Sequence, residues 1–330
     1  MAPLPTVLVV LRPNRAMPPG LLEKTGHLAH FEFAVGADEV GPAAERADVV
    51  FVWNFRSRLV PEVFHRLPRL RWVHVAAVGV DASLSPEVAA SDVVVTNSRG
   101  VTANAMAEYA LTLMLLFAKD IRPTLADQAA ARWNPRLTKL MRGACLVVVG
   151  VGAVNRRLAR VAHAMGMRVI GVGRTAHPAD EGFERIVGQE ELVHVLPEAD
   201  YVVVATPLTA DTDGMMGTAA IAAMKRDAIL VNVGRGAVID ESALVEALRE
   251  RRIGGAALDV VWREPLEPEH PLWTMPNVIL SPHMSADFTL WQEGMVNLFA
   301  ANLERWRAGA PLHNVVDKAL GYVPSEVGVA

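Results

Sequence analysis

Residues 146–175 read LVVVGVGAVNRRLARVAHAMGMRVIGVGRT, and the fold is decided there. Four apolar residues run into a glycine-spaced turn, Gly150-Val151-Gly152. An amphipathic helix follows, and Arg168 opens a second apolar run that stops at Gly173. Strand, glycine turn, helix and strand form the opening unit of a parallel sheet that holds a dinucleotide. Gly150 permits the tight turn. Gly152 lets the backbone approach a pyrophosphate at the helix N-terminus, where Ala153 and Val154 begin the helix. The third glycine of G-x-G-x-x-G is replaced by Asn155, which predicts a looser helix–sheet contact with the phosphate site kept.

At the end of the second strand an NAD site carries Asp or Glu for the ribose 2′-hydroxyl. This chain has Gly173 there, followed by Arg174 and Thr175. A 2′-phosphate would be repelled by a carboxylate and bound by a guanidinium. NADP(H) is therefore the favoured cofactor. NAD(H) is the alternative, and Arg174 would then be a solvated surface residue.

Outward from this unit the pattern repeats. Apolar runs at residues 7–11, 49–53, 72–75, 93–96, 145–150, 168–172, 201–205, 228–233, 255–260 and 278–281 read as strands. They are continuous rather than alternating, as in parallel strands buried on both faces. Helical stretches lie between them, one over residues 242–251 opened by Asp240 and two long ones at 101–119 and 288–309. The prediction is an α/β chain with two doubly wound parallel sheets. Residues 100–289 would be a dinucleotide-binding domain inserted into a substrate domain made of residues 1–99 and 290–330. On the first long helix, Glu108 is expected to be a paired buried acid.

Composition narrows the function. The 330 residues are 52% hydrophobic and 21% charged, with a net charge of −4 and both signs interspersed. Neither nucleic acid nor a membrane surface is indicated as a partner. No segment reaches the roughly 18 uninterrupted apolar residues of a membrane helix. The first apolar run reads as a strand and not as a signal peptide. One cysteine, Cys145, excludes an internal disulfide and a cysteine-based zinc site, so a cytoplasmic protein without a bound metal is expected.

The chemistry concentrates in residues 229–286, ILVNVGRGAVIDESALVEALRERRIGGAALDVVWREPLEPEHPLWTMPNVILSPHMSA. Arg235, Glu264 and His283 each follow a short apolar run, so a parallel sheet would bring them to one edge. A cation, an acid and an imidazole together can move a proton on and off a carbonyl oxygen. Hydride delivery to a carbonyl builds negative charge on its oxygen, so both a cation and a proton donor are needed near it. Asp240 and Ser242 read as helix-capping residues. Trp53 reads equally as core or as a wall of a substrate pocket, and Trp133 as a contact of either the pocket or a partner subunit.

The motifs GVGAV (150–154), ATPLTADTDGMMG (205–217), VNVGRGAVIDESAL (231–244), ALDVVWREPLEPEHPLW (257–273) and NVILSPHMSA (277–286) occur in order. AAVGVD (76–81) and AMAEYAL (105–111) extend the pattern into the first half. Together they resemble the D-isomer-specific 2-hydroxyacid dehydrogenases, and within that family the glyoxylate/hydroxypyruvate reductase group. The resemblance implies two Rossmann-like domains with a cleft between them, a homodimer, and reduction of small 2-keto acids to D-2-hydroxy acids. It implies that Arg235 binds the substrate's carboxylate and keto oxygen. His283 would be the proton donor and acceptor, and Glu264 would stabilise its protonated form. Backbone amides around Val78 and Gly79 would also meet the carboxylate. Thr206, Pro207, Thr212, Val233 and Asp259 would lie along the cofactor, Asp259 at the nicotinamide amide, with Met106 over the ring. The family also contains dinucleotide-sensing corepressors, and such a binding protein is the rival reading.

Overall fold

The computed structural model describes residues 3–42, 46–180 and 182–324. The chain divides into two compact units, one of residues 1–101 and 288–330, the other of residues 102–287. In chain order the first contains β1 (Thr6–Val10), α1 (Leu21–Thr25), β2 (His30–Ala34), β3 (Ala47–Val52), α2 (Leu59–Val63), β4 (Trp72–Val75), α3 (Pro86–Ala90) and β5 (Val94–Asn97). The second contains α4 (Ala103–Ala118), α5 (Ile121–Ala129), β6 (Cys145–Val149), α6 (Ala153–Ala164), β7 (Arg168–Val172), β8 (Arg185–Val187) and α7 (Leu192–Val195). It continues through β9 (Tyr201–Val204), α8 (Thr218–Ala223), β10 (Ile229–Asn232), α9 (Glu241–Arg249), β11 (Gly255–Leu258) and β12 (Val278–Leu280). The chain then returns to the first unit with α10 (Trp291–Arg307).

Both sheets are parallel throughout. The first has the order β2-β1-β3-β4-β5 and the second β12-β11-β10-β9-β6-β7-β8. The continuous Val/Ile/Leu runs form the inner strands, and every residue of β3, β6 and β9 is buried. Two strands were not expected from the apolar runs. β2 (HFEFA) and β8 (RIV) lie at sheet edges, where one flank meets solvent and polar residues are tolerated. Among the described residues no helix is long and apolar enough to cross a membrane.

The first unit needs the end of the chain for its core. Phe299 of α10 is fully buried, stacked 4.2 Å from Phe51 and 5.5 Å from Trp72. Burying such a ring stabilises by about 1.5–3 kcal/mol. Beyond α10 the chain runs along β5, where Val316 N–H donates to Val95 O and Asn97 N–H to Asn314 O.

In the second unit α4 turns Ala103, Ala107, Ala110, Leu113, Met114 and Ala118 inward. Asn104, Glu108 and Thr112 recur every fourth residue on another face and are exposed. Glu108 is thus an exposed acid and not the buried one expected, because it lies off the inward stripe.

Candidate active site

The second sheet changes winding direction at β6. From there the chain runs outward through β7 and β8, then crosses to β9 and continues outward through β10, β11 and β12. Ligands of open parallel sheets sit outside the carboxyl ends of the strands at such a switch point. Gly150 stands there with φ +93°, where a Cβ would lie 2.8 Å from the Thr206 methyl, so only glycine fits. Gly152, by contrast, has nothing within 4 Å of an added Cβ and opens onto free space. It begins α6, whose N-terminus no side chain caps and whose first turn has no acid. Ala153 and Val154 form that turn.

Asn155 corrects the expectation of a loose contact. It is fully buried, and its Nδ2 donates to Val149 O at 3.0 Å and to Gly150 O at 2.7 Å. It therefore ties the helix to the strand end and the glycine turn by hydrogen bonds, where a third glycine would act by close approach. Among the described residues, the buried Asn155 Oδ1 and Thr206 Oγ1 lack a hydrogen-bond partner. An uncapped helix start, an open glycine and a buried unpaired hydroxyl suit an incoming polar ligand with anionic oxygens, which is what a dinucleotide presents. Arg174 and Thr175 are exposed just past β7, while Gly173 is buried.

The rest of this edge supports or exposes the other expected residues. Pro207 is exposed, and Thr212 closes its loop by donating to Pro207 O at 2.7 Å and accepting from Thr209 N–H at 2.8 Å. Val233 is 1% exposed, which leaves it backbone contacts only. Met106 is half-buried on α4, with its sulfur 3.7 Å from the Thr102 hydroxyl.

Arg235 follows β10 in a turn built by Asn232, whose Nδ2 donates to Arg235 O and whose Oδ1 accepts from Gly234 N–H, both at 3.0 Å. Gly236 has no room for a side chain: a Cβ would fall 2.0 Å from the Val261 carbonyl. The arginine turn is thereby pressed against the segment that leads to Glu264.

His283 and Glu264 meet directly, with Nδ1 to Oε2 at 2.8 Å. A carboxylate only accepts, so Nδ1 carries a proton and Nε2 is left as the nitrogen that can give one up or take one. His283 has a positive φ, 56°, and Asp259 pins the turn around it. The Asp259 carboxylate, in a residue 1% exposed, accepts from Ser281 Oγ at 2.6 Å, Met284 N–H at 3.0 Å and Ser285 N–H at 2.8 Å. Its own carbonyl accepts from His283 N–H at 2.8 Å. This pinning role was not anticipated. The two serines flanking the histidine in S-P-H-M-S were the available signal.

In the first unit, Val78 and Gly79 follow β4, with Val78 41% exposed. Trp53 is 2% exposed, stacked on Trp291 at 5.8 Å, with the Arg12 guanidinium 5.5 Å from its ring. It is a core residue that would act on a ligand only through those neighbours. Within β4 lies His74, fully buried, its pKa pushed down by desolvation to about 3.

The NAD-binding domain of D-isomer specific 2-hydroxyacid dehydrogenases matches residues 111–285. The glyoxylate reductase of Thermococcus kodakarensis is 34% identical over 322 residues, 92% of this chain and 95% of that one. That of Thermococcus gammatolerans is 36% identical over 272 residues, 79% and 80%. Among solved structures, a D-isomer specific 2-hydroxyacid dehydrogenase from Xanthobacter autotrophicus, in complex with NADPH and MES, is similar with TM-score 0.83 and 28% identity. That similarity covers 97% of this chain and all of that one. An NADPH-dependent glyoxylate/hydroxypyruvate reductase from Sinorhizobium meliloti, in complex with NADP and sulfate, has TM-score 0.82 and 28% identity, over 96% of this chain and 100% of its own.

Proposed function

Because the chain belongs to the D-isomer-specific 2-hydroxyacid dehydrogenase family, we propose that it reduces small 2-keto acids of the glyoxylate and hydroxypyruvate type to D-2-hydroxy acids. NADP(H) is the favoured partner in this reading and NAD(H) the second. When bound, the nucleotide supplies or accepts the hydride at the carbonyl carbon. His283 Nε2 gives its proton to the carbonyl oxygen in reduction and takes it back in oxidation. Glu264 holds the imidazole and balances its charge. Arg235 takes the substrate's carboxylate and keto oxygen, and the Val78 and Gly79 amides take the carboxylate. Gly150, Gly152, Ala153 and Val154 would cradle the pyrophosphate, with Arg174 and Thr175 at the 2′-phosphate. Thr206, Pro207, Thr212, Val233, Asp259 and Met106 are assigned to the rest of the cofactor.

The observation that carries this reading is the 2.8 Å pair of Glu264 with His283, on a turn held by the buried Asp259. A protein that only senses a dinucleotide has no need of a histidine whose tautomer is set by a carboxylate. The test is a keto-acid panel run with NADPH and NADH side by side. Turnover of glyoxylate or hydroxypyruvate, faster with NADPH, is expected. No turnover of any keto acid with either nucleotide would leave the binding-protein reading in its place.

The same reading includes a homodimer in the cytoplasm. After α5 the chain extends as an arm on which Trp133 and Leu137 are 99% exposed and Leu140 74%. The Asp127 carboxylate clasps the base of this arm through Arg132 Nε at 2.9 Å and Arg136, and the Arg132 bond holds its carboxyl below the usual range. Large apolar side chains fully in water favour a protein partner, and a second copy is the one proposed. Sedimentation as a single 35.7 kDa chain at micromolar concentration would rule the dimer out.

A further inference from the structure

The loop after β4 has its peptide groups oriented by two buried residues of the neighbouring strand end. Ala77 O accepts from Ser98 N–H at 2.8 Å, and Val78 O accepts from Asn97 Nδ2 at 2.5 Å. In a trans peptide the carbonyl and the next N–H point in opposite directions. With both carbonyls turned toward β5, the N–H groups of Val78 and Gly79 are turned away from it, side by side. Two adjacent amides so directed make a concavity for an anion. Asn97 is 1% exposed and Ser98 fully buried, so neither touches a ligand.

Ser98 is itself set by a chain of hydrogen bonds with one possible direction. The Trp72 indole can only donate, and it does so to Thr96 Oγ1 at 2.8 Å. Ser98 gives its one hydroxyl proton to Val75 O, so it must accept from His74 Nε2, and the neutral ring leaves Nδ1 to accept from Thr96 Oγ1, 2.7 Å away. The neutral imidazole therefore carries its proton on Nε2, facing Ser98 Oγ at 3.3 Å, and Ser98 donates onward to Val75 O at 3.1 Å. Burial keeps His74 neutral, so the chain closes without a charge. Asn97 is fixed in parallel, its Oδ1 accepting from Arg99 N–H at 3.1 Å and its N–H donating to Asn314 O.

We propose that Asn97 and Ser98 are positioning residues for substrate recognition, turning the Val78 and Gly79 amides into a two-donor cradle for the 2-keto acid's carboxylate. This rests on the assignment of those amides to the carboxylate. The test compares glyoxylate with acetaldehyde, a carbonyl substrate lacking the carboxylate, in the wild-type protein and in Asn97→Ala, Asn97→Asp and Ser98→Ala. The wild type is expected to prefer glyoxylate strongly. Asn97→Ala should raise the KM for glyoxylate about tenfold, with kcat, acetaldehyde turnover and nucleotide affinity little changed. Asn97→Asp offers Val78 O no donor at neutral pH, yet its protonated form would. Its KM relative to wild type should therefore fall back as pH is lowered toward 5. Ser98→Ala should act in the same direction with a smaller effect.

If the wild type shows no preference for glyoxylate, or no turnover, the amide assignment fails and the proposal with it. If the preference is present but Asn97→Ala and Ser98→Ala leave the KM for glyoxylate unchanged, the keto-acid reading stands and the proposal is overturned. A lowered melting temperature with wild-type KM values would overturn it equally.

Discussion

The two sheets present opposite kinds of chemistry at their carboxyl ends. In the second unit the edge is made of charged and titratable side chains, Arg235, Glu264 and His283, on turns tightened by Gly236 and by the buried Asp259. In the first it is made of backbone amides, aimed by side chains that are buried and neutral. In the proposed reaction one edge moves a proton and must hold charge. The other only has to face an anion with donors, and a neutral support does that without the cost of burying a charge.

The sharpest way to break this contrast is at the histidine. His283→Ala removes the nitrogen proposed to move the proton and should lower kcat by about 10²–10⁴-fold with nucleotide binding largely intact. Steady-state kinetics beside nucleotide titration would check it. Equal loss of nucleotide affinity would mean that the residue holds the site and does not do its chemistry.

A second test sharpens the claim that the first unit's support is uncharged. His74 stays neutral in the fold to about 3, whereas in the unfolded chain it titrates near 6.5. Between these values the unfolded state binds a proton that the folded state refuses. Stability should be complete above pH 6.5 and fall as pH drops toward 3, by about 1.4 kcal/mol per unit. Urea unfolding at pH 7 and pH 5 should then show about 2 kcal/mol more loss in the wild type than in His74→Gln. An equal loss in both would mean that the histidine is charged or solvated.

The smallest expected effect concerns the exposed cation past β7. Arg174→Ala should weaken NADPH about tenfold while leaving NADH nearly unchanged, as for loss of one charge-assisted hydrogen bond. Equal effects on the two nucleotides would return Arg174 to the solvated surface.

The same contrast explains what could be read from the chain. Parallel strands buried on both faces announce themselves as unbroken apolar runs, so β3, β6 and β9 were legible. β2 and β8 were not, because an edge strand can keep His30, Glu32 or Arg185. Arg235, Glu264 and His283 stand out because a charged residue after an apolar run is conspicuous. Asn97 and Ser98 do not, since an Asn-Ser pair at a strand end reads as an ordinary turn. Their significance lies in which carbonyls they face, and that depends on the pairing of β4 with β5. Asn155 misled for a related reason: a missing glycine is visible in one dimension, but the two hydrogen bonds that replace it are not.

The return of the chain to the first unit has a consequence for the order of assembly. Residues 102–287 form a contiguous unit whose sheet is complete once they have left the ribosome. The unit begun first must wait. Its aromatic core lacks Phe299 and its β5 edge lacks the 314–316 segment until those residues have been made. During synthesis the nucleotide half can therefore be ready while the first strands still have their apolar faces uncovered, and the half translated earliest is the last to close.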